Sequence, residues 1–124
     1  EHFFAEDERV ERMAAALLEG DMPEYIRNMN ASGASSRTLL RNVVPALHPE
    51  RTEMAAALDR AAALLEGKGA WRIHGGGVAG CIQCLVPISG YEGFRAAMDG
   101  YYGEGACFEL RIRGCGAYRI PEEE

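Results

Sequence analysis

The sequence predicts an α+β fold: a two-layer sandwich in which helices cover an antiparallel sheet of three or four strands. Apolar residues recur every three or four positions through the first half of the chain, as in helices. In the second half they alternate with polar residues in short runs, as in strands. Helices that precede strands in this way favour an antiparallel sheet, and the 124 residues suit one domain over residues 1–124.

The first predicted helix carries a stripe of apolar residues. Phe3, Val10 and Leu17 recur at intervals of seven, and Met13 lies between them. Such a stripe is expected to face the core. Gly20 is expected to end the helix, because glycine readily takes the left-handed conformation common at helix C-termini.

The second helix is predicted to begin at Asp21, which suits an N-cap, with Pro23 in the first turn. Residues 30–36 are rich in serine and small residues and predict a polar break. A short helix over residues 36–42 is expected to follow this break.

Pro45 and Pro49 bracket a predicted irregular connection, and a long alanine-rich helix is predicted over residues 49–66. Its spacing gives an inward face made of Met54, Leu58, Ala61 and Leu65.

Strands are predicted in the second half at residues 70–74, 81–86 and 107–113, with a last short strand at 118–120. A helix between the second and third of these strands is expected to bury Tyr91, Phe94, Met98 and Tyr101. In the third strand, strict alternation places three residues in the core: Phe108, Leu110 and Ile112.

The charge and hydropathy of the chain disfavour two classes of partner. The 13 Lys and Arg against 19 Asp and Glu give a net charge of −6, which repels the phosphate backbone of nucleic acids. The sequence contains neither a run of about 20 apolar residues nor a signal-peptide pattern. We therefore expect a cytoplasmic protein that binds neither nucleic acid nor membrane.

The four cysteines, Cys81, Cys84, Cys107 and Cys115, are expected to be free structural thiols. Cys81 and Cys84 form a Cys-x-x-Cys pair, but residues three apart on a strand point to opposite faces. No second pair of ligands with metal-site spacing accompanies them, so no metal site is predicted.

The segment Gly75-Gly-Gly-Val-Ala-Gly80 matches the dinucleotide-binding pattern GxGxxG. That pattern requires a helix after the loop, whereas this loop leads into a predicted strand. Two other interpretations remain open on spacing alone. The glycines could expose backbone amides that hold a phosphate, or they could serve only the geometry of a tight turn.

Four stretches, in order along the chain, resemble the galactokinases of the GHMP kinase family. Gly69-Ala-Trp-Arg-Ile-His-Gly-Gly-Gly-Val-Ala-Gly-Cys-Ile-Gln-Cys-Leu-Val-Pro87 is similar to the third conserved motif of that family. Residues 1–10 resemble its Arg-x-x-His…Glu-Asn-x-Arg-Val helix, without the leading Arg. Residues 30–36 resemble the Ser-Gly-x-Ser-Ser form of its Asn-Glu-Ser-His-x-Ser segment, and residues 103–117 resemble its closing strand. Together these stretches span nearly the whole chain.

The resemblance implies the fold of a GHMP kinase C-terminal domain, which is of the ferredoxin-like type. Galactokinases transfer the γ-phosphate of ATP, with Mg²⁺, to the C1 hydroxyl of galactose. In that family the sugar site, the main phosphate loop and the catalytic residues lie in the N-terminal domain. That domain is therefore the implied partner, and this chain is expected to contain no catalytic residue and no activity alone.

Within the chain, the resemblance assigns four glycines to the wall of the phosphate site: Gly75, Gly76, Gly77 and Gly80. His74 and Ser32 are weaker candidates, since a strand-end histidine is commonly satisfied by backbone and serines commonly cap helices. The sequence departs from the family at Val78, Ala79 and Ala31, where Phe, Gly and Glu are usual.

Two alternatives to galactokinase remain: the C-terminal lobe of another GHMP small-molecule kinase, or a free-standing binding domain of this fold. A lobe without its partner domain would also expose apolar interface, with Trp71 or Tyr101 in it, and could form a dimer.

Overall fold

The computed structural model describes residues 1–75, 80–112 and 114–116. In chain order these form helix α1 (His2–Glu19), helix α2 (Met22–Ser35), a π-helical turn (Ser36–Leu40) and helix α3 (Glu53–Leu65). Strands β1 (Ala70–Ile73) and β2 (Ile82–Leu85), a 3-10 turn (Ile88–Gly90) and helix α4 (Tyr91–Tyr102) follow. The predicted α+β class is confirmed.

The junction between α1 and α2 agrees with the sequence. Gly20 ends α1 at φ 75°, in the left-handed region, and its N–H bonds back to the last turn of the helix. Asp21 caps α2, because its carboxylate accepts a hydrogen bond of 2.9 Å from the backbone N–H of Glu24. The two helices pack against each other.

The predicted inward face of α1 is wrong for Phe3, Val10 and Leu17, which are exposed. Met13 of the predicted stripe is half-buried, and Ala16 is buried. Near its start, polar side chains mediate the contact with α2. The apolar periodicity was present but did not identify the packed face.

The predicted polar break over residues 30–36 is also wrong. Helix α2 continues to Ser35 and passes directly into the π-helical turn, where a short separate helix was expected. The serine and asparagine side chains do not interrupt the helix, because several of them bond to α1 or β1. After Arg41 the chain is irregular as far as Thr52, as the two prolines indicated.

Helix α3 begins at Glu53, later than the sequence suggested, and buries Leu58, Ala61 and Leu65 as expected. In α4, Phe94 and Met98 are buried as expected. Tyr101 was expected to be buried but is exposed, and the guanidinium of Arg60 lies over its ring at 4.2 Å from the centroid. This cation–π contact holds the ring at the surface.

The two strands form an antiparallel hairpin in which Ala70 pairs with Leu85 and Ile73 pairs with Ile82. Helices α2 and α3 both pack against β1. Two small apolar clusters form the core, one between α3, the hairpin and α4, and one between α3, β1 and Val43. Trp71 and Ile82 pack against both clusters, which identifies Trp71 as a core residue.

The predicted third strand is absent from the part that the structure describes. Residues 107–112 belong to no helix or strand, and Phe108, Leu110 and Ile112 are 68%, 71% and 101% exposed. Alternation indicates which side chains share a face, but a strand also needs a neighbour to complete its hydrogen bonds, and none of the described residues forms a strand beside this segment. Residue 113 and the predicted strand at 118–120 lie outside the described residues.

Candidate functional site

The glycine loop connects the two strands of the hairpin, and its two ends have defined geometry. Gly75 and Gly80 adopt φ values of 67° and 74°, in the left-handed region that favours glycine. Just below them, the backbone N–H of His74 donates to the carbonyl of Cys81 at 3.3 Å. Gly76 and Gly77 lie outside the described residues.

The reason for glycine at both ends of the loop is conformation and not space. A Cβ built on Gly75 or Gly80 would meet nothing within 4 Å. Positive φ nevertheless strains any residue with a side chain. Left-handed glycines at the two ends of the loop are compatible with either interpretation of the sequence, a tight turn or a set of amides turned toward an anion.

His74 is exposed at the end of β1, and its backbone N–H closes the base of the loop. The side chain therefore lies at the surface beside Gly75.

Ser32 is placed differently, in the contact between α2 and α1. It is buried, and its hydroxyl donates to the Glu6 carboxylate at 2.5 Å. The structure thus gives Ser32 a helix–helix hydrogen bond and does not expose it to a ligand.

Glu6 is at the centre of a polar contact between α1 and α2. Besides the Ser32 hydrogen bond, it forms an ion pair with Arg9 of the same helix. Burial by itself raises the pKa of Glu6, but the hydrogen bonds from Ser32 and Arg9 outweigh burial and leave that pKa lowered. One turn earlier, His2 Nδ1 lies 2.8 Å from the Ser35 hydroxyl.

Asn30 attaches α2 to the start of β1 through two hydrogen bonds. Its side-chain amide donates to the carbonyl of Gly69 at 3.1 Å and accepts from the N–H of Trp71 at 3.0 Å. Since His74 bonds to Cys81, alternation along an antiparallel pair turns the backbone groups of Trp71 away from β2. Asn30 therefore supplies hydrogen-bond partners to backbone groups of β1 on the edge that faces away from β2.

Gly33, one turn after Asn30, brings the backbone of α2 close to β1. A Cβ at this position would lie 2.9 Å from the carbonyl oxygen of Trp71 and 3.1 Å from the Cβ of Arg72. Asn30 and Gly33 share one helix face because they are three residues apart. In this segment the sequence pointed to Ser32 and not to Asn30 or Gly33. The available signal for Asn30 and Gly33 was their spacing of three residues, which places them on one helix face.

The contacts of Asn30 and Gly33 fix the strand that leads into the glycine loop. Helix α2 holds β1 from Gly69 to Arg72, and the loop begins at Gly75. Both ends of the loop thus lie on a hairpin whose first strand is held from outside by a helix.

The thiols of Cys84 and Cys107 have little nucleophilic character. Burial, with a contribution from nearby Cys107, raises the pKa of Cys84 to about 12. Burial also raises the pKa of Cys107, and Asp99 adds to the effect. Cys84 is half-buried whereas Cys81 is exposed, as expected for residues three apart. In the part of the chain that the structure describes, no group of three or more His, Cys, Asp or Glu could hold a metal.

Two surface cavities lie away from the glycine loop. One, of about 250 Å³, is lined by Arg37, Arg41, Val43, Val44 and Ala55. The other, of about 440 Å³, is lined by Pro23, Ile26, Arg27, Asn30, Gly67 and Gly69. None of these lining residues is His74, Gly75 or Gly80.

No protein-family model matches the chain, and no solved structure matches it significantly. Among the described residues, no helix combines the length and apolar character that crossing a membrane requires.

Proposed function

We propose that the chain is the C-terminal lobe of a galactokinase of the GHMP family, which works with an N-terminal catalytic domain. The support is the order of its four family-like stretches together with the location of the glycine loop. The proposal extends to the fold of the family, in which further strands would join β1 and β2 in a sheet of three or four strands.

The observation that carries the proposal is the β1–loop–β2 hairpin. The stretch most similar to the family's third motif has left-handed glycines at Gly75 and Gly80 and is held in place by Asn30. Successive backbone amides in such a loop can form a concave site for an anion. Gly75, Gly76, Gly77 and Gly80 would form one wall of the phosphate site.

The proposed role of this wall is to position the phosphates, and none of its residues takes part in the chemical step. Phosphoryl transfer depends mainly on aligning the reactants and stabilising charge. The N-terminal domain would bind galactose, ATP and Mg²⁺, and the glycine loop would approach the phosphates from the opposite side. The three successive glycines, 75–77, have no Cβ to block that approach.

The test is to assay galactose 1-phosphate formation with ATP and Mg²⁺, using this chain alone and this chain joined to a galactokinase N-terminal domain. The chain alone should show no turnover above a buffer blank, and the joined protein should be active. Turnover by the chain alone, or an inactive joined protein that is folded, contradicts the proposal.

Gly76→Val in the joined protein separates a functional loop from a structural turn. If the loop approaches the phosphates, the valine should lower kcat by about a hundredfold, the cost of a misplacement of about 1 Å. The stability of the chain alone should change little. A destabilised chain with nearly normal kcat in the folded joined protein would indicate a turn that serves geometry only.

A further inference from the structure

The segment from Cys107 to Ile112, which follows α4, is anchored to the domain at its first residue. The backbone N–H of Cys107 donates to the Asp99 carboxylate at 2.8 Å, and its side chain packs against the core cluster between α3 and α4. The next five residues, 108–112, are all exposed and belong to no helix or strand. Three of them expose large apolar side chains to solvent: Phe108, Leu110 and Ile112.

These five residues are Phe-Glu-Leu-Arg-Ile, with Leu110 at the centre. The residues at equal distances before and after Leu110 form favourable pairs. One position to either side of Leu110 are opposite charges, Glu109 and Arg111. Two positions to either side are an aromatic and a β-branched residue, Phe108 and Ile112. A two-fold axis through Leu110 would therefore bring unlike charges together.

In an antiparallel pair of two such segments, Leu110 lies opposite the partner's Leu110. Glu109 then lies opposite the partner's Arg111, and Phe108 lies opposite the partner's Ile112. Opposite charges and aromatic–β-branched pairs are both favourable when directly across an antiparallel ladder. The apolar side chains share one face of the pair, and the charges share the other.

Within a single chain, the charges of Glu109 and Arg111 pair only weakly with each other. Arg111 Nε lies 3.1 Å from Glu109 Oε1, but both side chains are exposed. Exposed ion pairs contribute little. Pairing between copies would exchange the two intrachain contacts, one in each chain, for two cross-strand contacts, and the added stability would come from backbone hydrogen bonds and apolar contacts.

We propose that residues 108–112 bind the same segment of a second copy of this chain, antiparallel and centred on Leu110. The contact is isologous, so each chain offers the same surface. Its small size makes the dimer weak and dependent on protein concentration. The pairing is argued without the kinase proposal and competes with it, because that proposal would place residues 103–117 in the sheet of the same chain.

Four variants test the register by sedimentation equilibrium over a range of protein concentrations. Glu109→Arg places arginine opposite arginine twice, and Arg111→Glu places glutamate opposite glutamate twice. Each should raise the dimer dissociation constant by about tenfold or more. The double variant, Glu109→Arg with Arg111→Glu, restores unlike pairs and should dimerise like the wild type. Glu11→Arg, an equal change of charge at an exposed position of α1, should have no effect.

Mixing the two single variants provides the sharpest comparison. In a mixed dimer every arginine lies opposite a glutamate, so two variants that are monomeric alone should associate when combined.

Three results overturn the proposal. A wild-type chain that stays monomeric at all concentrations shows that the segment binds elsewhere, as it would if it joined β2 of its own chain. Dimers that form equally well in all variants place the contact on another surface, such as the exposed face of α1. A mixture that associates more tightly than the wild type, while both single variants and the double variant dimerise like the wild type, indicates parallel pairing, because a parallel pair puts like charges opposite each other in all of these chains.

Discussion

Asn30 and Gly33, one turn apart on α2, determine how closely that helix approaches β1. Asn30 supplies hydrogen bonds to two backbone groups that would otherwise lack partners, and Gly33 supplies the room for a helix backbone to reach a strand backbone. Neither role requires chemical reactivity. Both affect the site, because β1 leads directly into the glycine loop.

Gly33→Ala should destabilise the chain. The new Cβ would lie 2.9 Å from the Trp71 carbonyl oxygen, and a backbone atom cannot move aside as a flexible side chain can. Overpacking of this kind costs about 1–3 kcal/mol. Urea denaturation measures the loss as a lower midpoint.

Gly93→Ala is the matched control, because Gly93 lies within α4 and a Cβ there would meet nothing within 4 Å. This change should raise stability by about 0.5–1 kcal/mol, the difference in helix propensity between alanine and glycine. If both substitutions raise the urea midpoint equally, the close approach of α2 to β1 is wrong.

Helices α1 and α2 are joined near the start of α1 by polar side chains where the sequence indicated an apolar stripe. Ser32 and Ser35 on α2 bond to Glu6 and His2 on α1. Glu6 is partly buried, with 24% of its side chain exposed, so its hydrogen bonds are less screened than those of a surface carboxylate. The stability of this contact should therefore depend on pH.

The direction of the pH effect follows from the lowered pKa of Glu6. A carboxyl whose pKa is lower in the folded chain than the ordinary value of 4.5 stabilises the fold when it is ionised. Its contribution is complete above the ordinary pKa and is lost as the pH falls through the folded pKa. The melting temperature should therefore fall in acid more steeply for the wild type than for Glu6→Gln.

At neutral pH, Glu6→Gln should itself cost about 1–2 kcal/mol, since it weakens hydrogen bonds to a charged acceptor. Glu11→Gln, at an exposed carboxylate of the same helix, should change neither the neutral stability nor the acid slope. Identical acid profiles for the wild type and Glu6→Gln would refute the role of Glu6.

The sequence indicated the elements well and their partners less well. Local signals such as Gly20, Asp21 and the two prolines predicted helix ends and the irregular connection, because caps and turns depend on nearby residues. The face of α1 and the continuity of α2 could not be read in this way. They depend on the Ser32–Glu6 and Asn30–Trp71 hydrogen bonds, which join residues 26 and 41 positions apart.

The same limit applies to the candidate site. The glycine pattern predicted a loop between two strands, and the conformations of Gly75 and Gly80 agree with a loop that needs glycine. Its support from α2 was not foreseen, because the contacts cross from helix to strand. The prediction of a third strand was wrong for a related reason, because the alternation in residues 107–112 does not supply a neighbouring strand.

For the molecule as a whole, the described core consists of two small apolar clusters that share Trp71 and Ile82. Cys84 and Cys107 pack against one of these clusters as apolar side chains. A chain of this size can bury enough surface to fold without covalent or metal cross-links.

The chain should therefore unfold identically with and without chelator and reductant. Burial keeps Cys84 protonated at neutral pH, with a pKa of about 12, so it should neither ligate a metal nor exchange disulfides readily. Thermal melts with EDTA, with a thiol reductant and with neither should superimpose. A lower midpoint with EDTA would reveal a metal site, and a lower midpoint with reductant would reveal a disulfide.

The amide of Asn30 has a further consequence for how the sheet can grow. It occupies the hydrogen-bonding groups at the outer edge of β1 that another strand would need, and α2 lies against that edge. A further strand therefore cannot pair with the outer edge of β1, and any added strand has to pair with β2. A strand from the rest of the protein and a strand from an aggregating neighbour would therefore compete for the outer edge of β2.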